Sequence, residues 1–459
     1  MTPVSLMRVA TMVTRRGQGR AGQDSRGLIT ALSIGAYAVV QALALAVSAG
    51  VLVFLDHAAH PSSAYQEDFG GSYVSLAIFA GIVLVMPLVS LCVAAARMGA
   101  LRRARRLSIV RMLGAGPRQV RMIGVIEAFG HALAGVVIGT ALYLVSLPAW
   151  SLLRFEGQAL SASSMWIGPV GLVIVSLSVL VIATVSAVVG LQRVVISPLG
   201  VARRTDAPAM RRLRVIIPSV LVVGWVIGGQ VIGQAGPAVF MLIVFAMIAA
   251  LLAGIDAVGP FLVQGLGRTM VGRARDAATL IAGRRLIDDP KSTWRAVGSL
   301  SMVCFLVSFT AMLPALTGAG GADADQLLLM GDIRNGVWLT LAIAFVLTAA
   351  STGLNQAAKT LDRIGDARTL AITGAPAELL ARVRRREVLA PVGVAVLVPT
   401  AVGLAFQFPI MGSAVVQRPD TIVMLVASLA IGVLIVFAAQ EMCRFLQARL
   451  LAENSRRAD

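Results

Sequence analysis

The sequence predicts an all-α polytopic membrane protein of about ten transmembrane helices, arranged 4+2+4 as two parallel repeats. Three observations carry this. Apolar residues make up 58% of the 459-residue chain and charged residues only 14%, too apolar for a soluble fold of this length. Uncharged runs long enough to cross a hydrocarbon core of about 30 Å recur along the chain. The basic residues are gathered into alternate loops rather than spread over a surface.

Ten spans follow, at 28–55, 73–97, 122–149, 167–190, 215–234, 237–263, 296–318, 335–358, 388–408 and 421–443. Within lipid each backbone N–H and C=O must pair inside its own segment, so runs of this length become helices. Barrel strands would be segments of about ten alternating residues; these runs are two to three times longer and apolar on every side. The first run is too long for a signal-peptide core and is kept as a span.

Orientation comes from charge. Of the 40 Lys and Arg, 37 lie before span 1, in the loops 2–3, 4–5, 6–7 and 8–9, or after span 10. The other side holds only Arg154, Arg334 and Arg418. The positive-inside rule then places both termini in the cytoplasm. The formal net charge of +18 reads as this topology signal together with affinity for anionic lipid headgroups. Nucleic-acid binding is not expected, because the arginines sit in short juxtamembrane loops and not in a separate basic domain.

The loops are short. About 17 residues (Asp56 to Ser72) join spans 1 and 2, and about 16 join spans 7 and 8. Neither holds a folded extracellular domain, and no cytoplasmic loop holds a catalytic one. Cys92, Cys304 and Cys443 fall within or at the end of spans, without metal-ligand spacing, and read as apolar packing residues.

The chain repeats itself. The segment 101–127 lies on 361–387 at an offset of 260, aligning Leu101 with Leu361, Arg103 with Arg363, Gly114-Ala115 with Gly374-Ala375 and Glu127 with Glu387. Arg15, Arg16 and Arg26 fall on Arg284, Arg285 and Arg295 at an offset of 269. Both halves enter from the same side, so the repeat is parallel. The expected organisation is a cytoplasmic N-terminal segment at 1–27, a four-span domain at 28–190, a linker and two-span bridge at 191–266, a linker at 267–295, a second four-span domain at 296–443 and a tail at 444–459. The bridge is expected to turn at Gly236-Pro237, where proline cannot continue the preceding helix.

Between spans 2 and 3 the chain reads Arg102-Arg103-Ala104-Arg105-Arg106, then Arg111-Met112-Leu113-Gly114-Ala115-Gly116-Pro117-Arg118-Gln119-Val120. This predicts a helix leaving the membrane, a stop at Gly114 and a restart with Pro117 in the first turn. The arginine run 102–106 is a topology anchor or a contact for acidic groups. A short helix–turn–helix of this kind suits docking on a soluble partner.

The pattern R-x-L-G-A-x-P-x-Q-V, followed by Glu127 at the entry to span 3, resembles the FtsX-like permease domain of MacB-type ABC transporters. Arg193 to Leu199, leading through Pro198 to Arg203, is similar to that family's closing P-x-x-x-x-R pattern. The 4+2+4 layout resembles fused ten-span permeases of the bacitracin-exporter type. The topological likeness covers most of the chain and the motifs about 60 residues. The large extracellular domains of those relatives are missing here. The second-half motif is degraded, with Ala371 opposite Arg111 and Thr373 opposite Leu113, and no Pro motif follows span 10.

The resemblance implies a permease subunit in a bacterial cytoplasmic membrane. It implies ATPase docking by Arg103, Arg111, Leu113, Gly114, Ala115, Pro117, Arg118 and Gln119, and by Arg363, Gly374, Ala375 and Pro376. The expected partner is a separate ABC ATPase acting as a dimer, which binds ATP and Mg. This chain binds no cofactor itself and has no Gly-Lys dipeptide from which to build a phosphate-binding loop. The expected substrate is hydrophobic or amphipathic: a peptide antibiotic, a lipid or a drug.

Other residues are weighed singly. Glu127 and Glu387 are interface anchors, pairing with a neighbouring arginine, or coupling residues. Asp256 lies inside or near the end of span 6, and intramembrane carboxylates are costly and often functional. His131 on span 3 is a packed histidine or a proton switch. His57 and His60 share a loop with Glu67 and Asp68, a weak metal candidate or a solvated loop. Gly135-x-x-x-Gly139, Gly224-x-x-x-Gly228 and Gly229-x-x-x-Gly233 predict close helix crossings. No nucleophile–base pair, carboxylate dyad or HExxH motif supports an enzyme. Two further classes remain: a regulator that drives an extracytoplasmic protein, and an ATP-independent carrier, for which Asp256 is the carboxylate candidate.

Overall fold

The computed structural model describes residues 20–112, 116–196, 220, 223–225, 237–310, 323–362, 377–411, 422–423, 425–435, 437–438 and 441. Side chains at 20–26, 28–29, 100–112, 117, 120–121, 189–196, 237–242, 309–310, 359–362, 377, 380–381, 384 and 408–411 are not described within those helices. The described chain is helical apart from a short hairpin. The helices are α1 (Arg20–Ala59), α2 (Ala64–Met112), α3 (Pro117–Ser146), α4 (Gly168–Ile196), α5 (Pro237–Gly272), α6 (Ala277–Asp288), α7 (Pro290–Thr310), α8 (Ala324–Asp362) and α9 (Ala377–Met411), followed by α10 (Leu425–Ile435).

Seven of the described helices are long and apolar enough to cross a membrane, and the protein is a multi-pass membrane protein by length and composition. They correspond to predicted spans 1 to 4, 6, 8 and 9. Predicted spans 5, 7 and 10 lie partly outside the described residues.

Several helices outrun the bilayer. The 49 residues of α2 extend about 74 Å at 1.5 Å per residue, more than twice the hydrocarbon thickness. The excess corrects the expected 17-residue loop after span 1. Helix α1 runs to Ala59 and α2 starts at Ala64, so only 60–63 lie between them. Glu67 in the first turn of α2 favours that early start through the macrodipole. The expected linker 267–295 is likewise mostly helical. Asp276 caps α6 by accepting from Thr279 N at 2.9 Å, and Pro290 opens α7, a position where its missing N–H costs nothing.

Burial separates core from lipid-facing helices. Helix α7 is buried almost continuously from Ser292 to Ser308. Helix α4 leaves Val170, Val173, Ile174, Leu177, Val181 and Val185 more than half exposed, as a helix bathed in lipid would. Helix α1 packs between α2 and α3, α7 packs on α8 and α9, and α2 meets α8 across the middle. The helix starts keep the register of the repeat: Ala64 and Ala324 are 260 residues apart, as are Pro117 and Ala377.

Small residues set the closest crossings. A Cβ on Gly135 would stand 2.4 Å from Tyr37 Cβ, and one on Gly139 2.4 Å from Ala38 O, so the GxxxG of α3 lies on the α1 backbone. In the other half, a Cβ on Gly403 of α9 would stand 2.0 Å from Ser308 Oγ and 3.0 Å from Phe305 O of α7. Gly224 has nothing within 4 Å; Gly228, Gly229 and Gly233 lie outside the described residues. Hydroxyls join the central helices: Ser299 Oγ and Thr352 Oγ1 are 3.0 Å apart, and Ser90 Oγ and Ser351 Oγ bridge α2 to α8 at 3.4 Å.

Candidate functional site

Two regions hold polar chemistry, one at each end of the bundle.

At the arginine-rich end, α2 stops at Met112 and α3 restarts at Pro117. Gly116 is the N-cap, and its N–H donates to Gln119 Oε1 at 3.2 Å. Arg118 and Gln119 are exposed on the first turn. Arg103 and Arg111 lie on the last turns of α2. Leu113, Gly114 and Ala115, and in the second half Arg363, Gly374, Ala375 and Pro376, lie outside the described residues. Pro198, Arg203, Arg418, Cys443 and the segments 1–19 and 442–459 do too.

The helix that follows the second candidate docking segment is held by α6. Arg285 Nη1 donates to Glu387 Oε2 at 3.4 Å, with the Glu387 side chain only 6% exposed. One residue earlier, Arg386 Nη1 donates to both oxygens of Asp276, at 2.6 Å for Oδ2, and to Thr279 Oγ1. Ala278, Ala282 and Val383 close an apolar seam beneath these pairs. The Arg386 guanidinium, followed by the Thr279 hydrogen bonds, holds the Asp276 carboxyl well below the usual carboxylate range. A depressed folded value means that the pairing stabilises above the unfolded carboxyl's pKa of about 3.9 and is lost only as pH falls further. The Arg386–Asp276 link is therefore expected to persist from pH 8 to pH 5. Protease nicking of α6 in Asp276→Asn, compared with the native chain across that range, checks it. A link that opens near pH 6 contradicts the assignment.

Glu127 is half-buried on α3. His131 is half-buried one turn further along. Asp256 lies on α5 facing the start of α7: its Oδ1 accepts from Trp294 Nε1 at 3.0 Å, and Arg295 is close enough to act on it electrostatically. A Cβ on Gly259 would fall inside the Trp294 ring, so glycine there lets the indole reach Asp256.

The far end holds residues the sequence reading did not single out. After α3, a 3-10 turn (Leu147–Leu152) leads to a hairpin of β1 (Arg154–Phe155) and β2 (Gln158–Ala159). Its two-residue turn has positive φ at both positions, Glu156 at 56° and Gly157 at 75°, the geometry that matches strand twist in the tightest hairpins. Glutamate is uncommon there, and its surroundings over-determine it. Its N–H donates to Asp332 Oδ2 at 2.6 Å. Its carboxylate faces His57 Nδ1 at 2.8 Å and accepts from Gln66 Nε2 at 2.7 Å. Tyr73 OH also donates to Asp332 Oδ2 at 2.6 Å and lies 2.9 Å from Tyr65 OH. Thus α1, α2, the hairpin and α8 meet around two buried acids.

His57 pairs with Glu156, while His60 faces Asp56 at 3.3 Å on the surface. Among the described residues no group of three His, Cys, Asp or Glu could hold a metal.

Beneath the network lies a cavity of about 140 Å³ between α1, α2, α8 and the hairpin. Phe54, Tyr73, Trp150 and Phe155 wall it, with Asp332 at its polar edge. Phe54 stacks on Tyr73 at 5.5 Å and meets Phe155 edge-on at 5.8 Å. Asp332 escaped the sequence reading because span 8 was started at 335. Helix α8 begins at Ala324, so Asp256 is not the sole carboxylate set among the bundle's helices. No family model, curated protein or solved structure matches the chain.

Proposed function

We propose that this chain is the membrane subunit of an ABC transporter in a bacterial cytoplasmic membrane. In this reading it has ten spans in a 4+2+4 order, with two FtsX-like halves and both termini cytoplasmic. A separate ATPase dimer, carrying ATP and Mg, sits beneath the arginine-rich end. Closure of that dimer pushes on 101–121 and 361–381, and α2, α3, α8 and α9 act as levers. The work done is export, or extraction from the membrane, of a hydrophobic or amphipathic substrate.

The observation that carries the reading is the shared register of the levers. The α2/α3 and α8/α9 pairs start 260 residues apart, and α2 packs on α8 at the middle of the molecule. A symmetric ATPase dimer needs two such equivalent handles. The absence of a Gly-Lys dipeptide leaves nucleotide chemistry to the partner.

Purification of the tagged protein in mild detergent, with mass spectrometry of what accompanies it, tests the proposal. An ABC ATPase is expected with the native chain and absent with Gly114→Arg. An ATPase held equally by both would move the docking site elsewhere. No ATPase, where a control complex survives, would favour an ATP-independent carrier using Asp332 or Asp256. Uptake driven by a proton gradient alone would then be the decisive measurement.

A further inference from the structure

The cavity at the far end combines two features that together specify a ligand. The first is uncompensated charge. Asp332 is 6% exposed, yet its two hydrogen-bond donors, Tyr73 O–H and Glu156 N–H, are neutral. Both bind Oδ2, and Oδ1 has no hydrogen-bond partner among the described residues. Beside it, the Glu156 side chain is 3% exposed and its Oε1 is buried without a partner. The only cationic candidate in the network is His57, whose side chain is one-third exposed and already spent on Glu156 Oε2. Arg154 and Arg334 are exposed, with no ion pair to either acid among the described residues. Buried carboxylates are normally paired with a cation.

The second feature is the wall. Phe54, Tyr73, Trp150 and Phe155 surround the space next to Asp332, and aromatic faces attract cations as well as apolar groups. The volume of about 140 Å³ is close to that of a protein cavity that holds one benzene ring. It takes a single ring or a short alkyl stretch and excludes the two chains of a phospholipid.

We infer that this cavity is a binding site for a compact cationic amphiphile, whose ammonium group meets Asp332 while its aromatic or short alkyl part fills the aromatic-walled space. Glu156 acts as a positioning residue: its turn delivers the N–H that fixes the Asp332 carboxylate, and its own charge deepens the negative potential. As a transport substrate this ligand rests on the permease reading; as a bound ligand it does not.

The test reads binding alone. Trp150 is the tryptophan that lines the cavity, so a brominated ligand seated there quenches it. The protein is reconstituted in phosphatidylcholine nanodiscs, which carry no primary amine, at pH 7. Two probes are titrated: 4-(4-bromophenyl)butylammonium and the matching neutral alcohol. Saturable quenching by the ammonium probe is expected, lost in Trp150→Phe. Asp332→Asn keeps an acceptor oxygen for its donors but removes the charge. It should weaken the ammonium probe at least about ten-fold, the size of a charge-assisted hydrogen bond, and leave the alcohol unchanged. Tyr73→Phe retains the charge and should retain ammonium binding. Because that variant loses the same hydrogen bond, it separates charge from fold.

Equal affinity of native and Asp332→Asn protein for the ammonium probe overturns the proposal, as does an alcohol that binds as tightly. Quenching that survives Trp150→Phe places the ligand elsewhere and also overturns it. Competition by added phosphatidylethanolamine would reassign the site to a lipid headgroup and remove the free amphiphile. If binding fails while an ATPase still co-purifies, only this inference falls. If binding holds with no ATPase, only the permease reading does.

Discussion

Gly139→Ala is expected to destabilise the protein by about 1–3 kcal/mol, the usual cost of forcing a methyl into a full contact, and Gly139→Leu to prevent α3 from seating on α1 at all. The added Cβ would lie 2.4 Å from Ala38 O and 2.6 Å from Gln41 Cβ. The first of these is backbone, which cannot swing aside, so α1 itself would have to retreat. That retreat breaks more than one contact. Gln41 is fully buried, and its Nε2 donates to Ser176 Oγ of α4 at 2.8 Å, so α1, α3 and α4 are joined at this level. Gly130→Ala is the control, because Gly130 is on the same helix, is exposed and has nothing within 4 Å. It should stay within about 1 kcal/mol of the native chain, on the favourable side that helix propensity dictates. Thermal unfolding in detergent, followed by size-exclusion, separates the two. Equal stability of Gly139→Ala and Gly130→Ala would mean that α3 does not lie on the α1 backbone.

That crossing was legible in the sequence, and the reason is general to lipid. Where apolar packing gives little discrimination between helix faces, only small residues admit backbone contact, so Gly135-x-x-x-Gly139 marks a crossing almost by itself. Long uncharged runs marked the helices for the same reason. The register between Arg103 and Arg363 foresaw helix starts at Pro117 and Ala377. Other features were hidden by how the two environments write themselves. The stretch Ala322-Asp323-Ala324-Asp325-Gln326 reads as a solvated loop, yet it opens α8 and carries Asp332 inward two turns later. Glu156-Gly157 lies in a segment of mixed polarity with no periodicity, and a two-residue turn leaves no pattern beyond its glycine. Helix α6 had a readable start at Asp276 followed by Thr279, but its length of 12 residues and three charges placed it among the loops. The partner of Glu387 could not be found without it.

That partner leads to the second large effect. Arg285→Met should cost about 1–3 kcal/mol, below the value for a fully buried ion pair because the Arg285 side chain is 27% exposed and the contact is 3.4 Å. The cost comes from Glu387, left with its charge in a site where its side chain is 6% exposed. Arg285→Met with Glu387→Met should be more stable than Arg285→Met alone, since removing both charges leaves neither unpaired. Arg386→Ala, one residue away, should matter little to stability, because Arg386 and Asp276 are 39% and 41% exposed and water screens them. The contrast has a functional consequence under the proposed mechanism. Glu387 sits on α9 shortly after the second docking segment, and Arg285 sits on α6, which packs on α5. The pair is then the point where a push on α9 passes to the bridge helices. Arg285→Met should keep its ATPase in co-purification while ATP hydrolysis loses its dependence on substrate. If Arg285→Met is as stable as the native chain and hydrolysis stays coupled, α6 is a passive spacer and force reaches the bundle through α8 and α9 alone.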